Sequence, residues 1–243
     1  MQASRDSVSA AMLCVGVVAL VCAFAVSPLT QDTSLDEAFR VRPDFSARLF
    51  TSALMFGCAS AGMASGSVVL WRLLPPRKTW SRVAVTAYAL GTLGLGLYGG
   101  ALVYAHSLLD PSGVLHVEQV QALREELWLR ILLVGWLFFF LSGLVMLAVG
   151  MLRNPRVPRW VPSAILAFVA SQFIPLPGGH ATSVAQFVVL AVALAHAAAL
   201  AHGSATGRDP ELARVWPTGR RRVVAVAPVG LDPGGTRQGN RQH

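Results

Sequence analysis

The chain has 243 residues, of which 54% are apolar and only 13% charged, and it carries a net charge of +8. Soluble domains carry about 25% charged residues, so this composition excludes water as the main solvent. The positive excess does not describe a nucleic-acid interface, because the basic residues fall between and after apolar stretches rather than along one face.

The apolar stretches approach the roughly 20 residues that cross about 30 Å of hydrocarbon at 1.5 Å per residue. They predict an all-α, polytopic transmembrane helix bundle of six spans within residues 1–203, at about 9–26, 49–71, 83–104, 128–152, 160–174 and 184–201. The first stretch follows Arg5 and ends near Ala23-Phe24-Ala25, a pattern that also imitates a signal peptide. Cleavage there would leave five spans without changing their orientation. Cys14, Cys22 and Cys58 all lie in apolar stretches and match neither a disulfide framework nor a Cys-x-x-Cys metal pattern. They read as small packing residues.

Spans two and three contain small-residue pairs, Gly62 with Gly66 and Gly96 with Gly100. Such faces let membrane helices approach closely, so spans two and three are expected to meet there. The same faces could receive a membrane-protein partner or a second copy. Gly91, Gly94, Gly96, Gly99 and Gly100 also offer an alternative place for a ligand cleft. Before span four, Val117, Val120, Leu123 and Leu127 recur at helical spacing among Glu118, Arg124, Glu125 and Glu126. This predicts a helical extension of the span or, alternatively, an amphipathic helix on the outer surface, with Glu126 four residues ahead of Arg130 as its ion-pair partner. Span five is short for a bilayer and could alternatively be re-entrant. Ser183 and Gln186 fit a Ser-x-x-Gln capping box, placing the start of span six at Ser183 after a turn rich in Pro and Gly. Residues 204–243 lack apolar periodicity and are expected to form a disordered basic tail, whose Arg220, Arg221 and Arg222 could lie on anionic lipid.

Lys and Arg accumulate in cytoplasmic segments. With both termini in the cytoplasm, fifteen of the twenty basic residues and four of the twelve acidic ones lie inside. The expected location is the cell membrane, with the lipid bilayer as the first partner.

Ionisable groups deep in a bilayer point to function, and the centres of these spans hold no carboxylate. His196 is the one ionisable residue well inside a span, and it is expected to hydrogen-bond a neighbouring helix. No second histidine lies at its depth, which excludes a bis-His haem. Gln172 and Gln186 lie near the outer ends of their spans and could hydrogen-bond one another. His106, Asp110, His116 and His180 lie in or beside the outer loops, where His and carboxylate ligands could hold a divalent metal. No tight motif fixes their geometry, and no other cofactor signature is present.

Phe138-Phe139-Phe140, the apolar run to Leu152 and Pro158-Arg159-Trp160-Val161-Pro162 together resemble small six-span bacterial integral membrane proteins of unknown function. The resemblance implies a fold and supplies no catalytic residues. The expected function is a non-enzymatic accessory or lipid- and small-molecule-binding bundle. The alternatives are an outer-face enzyme acting on lipid or isoprenoid substrate, and a lipid or small-molecule transporter. A reporter fused after Gly203 should read as cytoplasmic; an extracytoplasmic signal would overturn the six-span topology.

Overall fold

The computed structural model describes residues 2–28, 44–75, 79–107, 127–174, 177 and 179–206. These form six α-helices and a short 3-10 turn, with no strand among the described residues. The helices are α1 Gln2–Val26, α2 Phe45–Leu70, α3 Thr79–Ser107, α4 Leu127–Leu152, α5 Trp160–Ser171 and α6 Gly179–Thr206. The 3-10 turn, Trp71–Leu73, continues α2. Five of the helices are long and apolar enough to cross a membrane; α5 is shorter. In hydrocarbon every backbone N–H and C=O must be satisfied within the protein, and a helix does this inside its own segment.

Each helix packs against its neighbours in the chain, and α6 also packs on α1. The bundle is therefore a closed ring, with the start of α1 and the end of α6 together at one end, called here the termini end. Ser7 Oγ and His202 Nδ1 lie 3.4 Å apart across that end, and Arg72 pairs with Asp6. Asn154 Nδ2 donates to the carbonyl of Leu73 at 3.0 Å, satisfying an acceptor that a helix end leaves open. Leu13, Leu20, Met63, Leu147, Met151 and Leu194 fill the interior and are almost wholly buried. The outer surface carries Val134, Phe138, Val68 and Leu97, all exposed, and this apolar exterior suits a lipid surrounding.

The helices extend past the apolar stretches at several ends, because polar residues continue a helix once apolar burial has set its axis. At α5 the reverse holds. The expected span 160–174 ends at Ser171, followed by a turn through Gln172 and Phe173. Pro175 disfavours helical geometry at Ile174. Span six is also corrected: α6 begins at Gly179, which has φ of 53°. Ser183 lies one turn inside, its hydroxyl donating to the Gly179 carbonyl at 3.3 Å, so it does not cap the helix. The expected amphipathic segment before α4, with Glu126, lies outside the described residues.

The expected contact of spans two and three through Gly62 and Gly66 is likewise corrected. A Cβ on Gly62 would come within 2.7 Å of Gly16 Cα, and one on Gly66 within 2.5 Å of Leu13 Cβ. Both glycines thus serve the contact of α2 with α1. The α2–α3 contact uses Gly96, whose Cβ would meet Ser60 Oγ at 2.8 Å, whereas Gly100 faces open space. α1 is in this way built into the bundle. Gly62→Ala should destabilise the protein by about 1–3 kcal/mol through overpacking, measured by thermal unfolding in detergent. Gly57→Ala, which meets nothing within 4 Å, should be neutral or stabilising.

Candidate functional site

A helix of 12 residues is about 18 Å long, whereas α4 and α6, with 26 and 28 residues, reach about 39 and 42 Å at 1.5 Å per residue. Ring contacts fix where α5 stands between them. Trp160, its first residue, lies against His196 with centroids 4.9 Å apart. Gln172, just past its end, donates from Nε2 to Gln186 Oε1 at 3.4 Å. α5 therefore covers only the middle of α6. Beyond it, at the end opposite the termini, the described residues leave a space inside the ring.

That opening is a cleft of about 140 Å3. Its apolar walls include Phe24 of α1, Leu95 of α3, Trp136 and Phe140 of α4, and Phe187 of α6. Gln172, His180, Ser183 and Gln186 supply the polar groups. His180 Nε2 and the Ala25 carbonyl are 3.3 Å apart, which joins α6 to the end of α1. Trp136 Nε1 is buried and has no hydrogen-bond partner among the described residues.

Around the cleft runs an arc of aromatic rings in which every helix takes part. Phe168 meets Phe187 edge-on at 5.1 Å, and Phe187 stacks on Phe24 at 3.7 Å. Phe24 meets Phe56, and Phe56 meets Tyr98, each edge-on at 5.1 Å. Tyr98 approaches Trp136 at 6.4 Å, and Trp136 approaches Phe140 at 6.3 Å. Edge-on pairs at about 5 Å stabilise beyond their burial by about 0.5–1.5 kcal/mol each. The arc has no local signature in the sequence, since its rings are spread over six helices. Their comparable depth from one end of each span was the available signal.

The glycine-rich segment of α3 is not the cleft. A Cβ on Gly91 would meet Phe140 Cα at 2.3 Å, and one on Gly94 would meet Trp136 Cβ at 2.2 Å. These glycines are covered by α4, and by seating Trp136 and Phe140 closely they set one wall of the cleft.

The candidate metal ligands divide among different neighbours. His106 Nε2 is 2.9 Å from Ser46 Oγ, and its ring rests on Phe50 at 5.3 Å, both on α2. His180 is turned to α1. Asp110 and His116 lie outside the described residues, among which no group of three or more His, Cys, Asp or Glu could hold a metal. Among the described residues His196 has the Trp160 indole as its neighbour and makes no interhelical hydrogen bond of the expected kind. Cys14 and Cys22 are half-buried, whereas Cys58 is exposed and so does not pack as expected.

No protein-family model, curated protein or solved structure matches this chain.

The Ser46–His106 bond can be tested by a double-mutant cycle. Ser46→Ala and His106→Ala should show a coupling of about 0.6 kcal/mol, the usual value for an interhelical hydrogen bond in a membrane. Additive losses, with stabilisation of the unaltered protein by zinc, would instead make His106 a metal ligand.

Proposed function

We propose that this chain is a non-enzymatic, multi-pass protein of the cell membrane that binds a neutral amphiphile in the cleft beyond α5. The observation that carries this is the lining itself, apolar and aromatic walls with a few convergent polar groups, the usual composition of a small-molecule site. Among the described residues it includes no Asp, Glu, Lys or Arg, so these residues offer a charged headgroup no counter-ion to offset its desolvation cost. Leu137 lines the cleft and is 42% exposed. A tail can therefore lie in the bilayer while its head is held inside.

The distribution of basic residues supports placing both termini in the cytoplasm, which puts the cleft in the outer leaflet. An amphiphile would then reach it by lateral diffusion. Association with another membrane chain has the exposed face of α3 at Gly100 available, while Gly62 and Gly66 are covered by α1.

Ser183 lines the cleft, and its hydroxyl bonds only its own helix; an aromatic ring substituted there would occupy the space. The unaltered protein should retain a neutral amphiphile through detergent exchange, seen as a bound mass by native mass spectrometry. Ser183→Phe should lose that mass while keeping its melting temperature within a few degrees. Equal retention by both proteins, or retention by neither, would overturn the assignment.

A further inference from the structure

We propose that the turn between α4 and α5 holds the phosphate of an anionic phospholipid in the leaflet at the termini end. The cleft lies at the other end, so this surface is independent of it. Depth is the first argument. Trp80 near the start of α3 and Trp160 at the start of α5 are 42% and 45% exposed. The Trp80 indole N–H donates to the Met146 carbonyl at 3.3 Å, six residues before α4 ends at Leu152. Trp160 lies against His196, six residues short of His202, which meets Ser7 at the termini end. Six helical residues rise about 9 Å, so both indoles stand at a common level, about 9 Å in from that end.

Exposed indoles at one level mark the boundary of hydrocarbon with headgroups, and the headgroup layer beyond it is about 5–8 Å thick. The α4–α5 turn crosses that layer. Near its start Asn154 bonds the Leu73 carbonyl, beside the Arg72–Asp6 pair, and at its end Arg159 directly precedes Trp160. Asn154 also fixes the path of the turn, because its Oδ1 accepts the backbone N–H of Arg156 at 3.1 Å while its Nδ2 holds the end of α2.

Charge is the second argument. The seven residues between Leu152 and Trp160 include Arg153, Arg156 and Arg159 and no acid. Among the described residues the one ion pair is that of Arg72 with Asp6, so no carboxylate there offsets the three guanidiniums. Arg153 and Arg159 are exposed, whereas Arg156 is half-buried, and its Nη2 is buried without a hydrogen-bond partner among the described residues. A positive charge partly withdrawn from water thus stands behind two exposed guanidiniums, which are free to meet a ligand. Withdrawing a charge without a partner is costly, and a nearby anion offsets that cost. The guanidinium fork matches phosphate oxygens in pairs. A choline or ethanolamine headgroup would bring its own cation into this cluster, so the arrangement favours a lipid of net negative charge, such as phosphatidylglycerol.

The full-length protein in neutral detergent should be titrated with phosphatidylglycerol and with phosphatidylcholine of the same acyl chains, binding being followed by thermal unfolding at fixed ionic strength. Phosphatidylglycerol should stabilise saturably, and phosphatidylcholine should bind at least tenfold more weakly. Arg153→Gln with Arg159→Gln should weaken phosphatidylglycerol binding at least tenfold, and Arg159→Gln alone about fivefold, since each charge near a membrane surface contributes about 1 kcal/mol. Both side chains are exposed, so the melting temperature without added lipid should stay within a few degrees. Replacing Arg220, Arg221 and Arg222 by Gln, which removes more charge from the tail, should leave the affinity unchanged. Equal binding of the two lipids, undiminished affinity in the double variant, or the same loss in the tail variant would overturn the site. Equal stabilisation by inorganic phosphate would show a free-anion site and overturn the lipid assignment.

Discussion

The ring of helices closes although one of its six members is less than half as long as those on either side. α5 has 12 residues between helices of 26 and 28, and the chain cannot lengthen it past Ser171 because the Pro175–Pro177 segment follows. Toward the termini end Leu147, Met151, Ile165 and Leu194 are almost wholly buried. The opposite end cannot be filled by a helix that stops short. The cleft is thus a consequence of one helix's length, and its walls are whatever the longer neighbours present at that depth.

Close packing elsewhere keeps the cleft from collapsing. Helices in lipid gain little from hydrophobic burial against one another, so their association depends on van der Waals contact and backbone proximity. Gly16 against Gly62 locks α1 to α2, and Gly91 and Gly94 bring α4 onto α3. These contacts leave little freedom for α1, α3 and α4 to move inward. The aromatic arc adds a rim of large, stiff side chains at the level of the opening. Small residues and bulky rings therefore act together, the former fixing the helix axes and the latter shaping the space between them.

The polar groups of the cleft gain importance from this setting. Gln172, Gln186, His180 and Ser183 would be unremarkable in a solvated loop. Gathered at the end of a short helix, they define a polar recess without charged side chains among the described residues, bordered by the exposed Leu137. Headgroup selectivity in such a recess comes from matching donors with acceptors, because an unmatched polar group in low dielectric costs more than in water.

The sequence by itself determined the all-helical bundle and the approximate place of each helix, because crossing hydrocarbon requires long apolar segments with internally satisfied backbones. It also brought out Gln172 and Gln186 as a pair and the shortness of the fifth apolar stretch, both visible in local spacing. It could not assign Gly62 and Gly66 to α1 rather than α3, nor show Gly91 and Gly94 covered by α4. A small-residue face records that something approaches closely and not which helix does so. His106 and His180, expected together from their place in the outer loops, are held by α2 and α1 respectively, since helix neighbours and not loop membership decide what a side chain meets. The cleft and its aromatic arc belong wholly to the tertiary structure. Phe24, Phe56, Tyr98, Trp136, Phe168 and Phe187 are separated by 19 to 42 residues along the chain, and only the closing of the ring at a common depth makes them one wall.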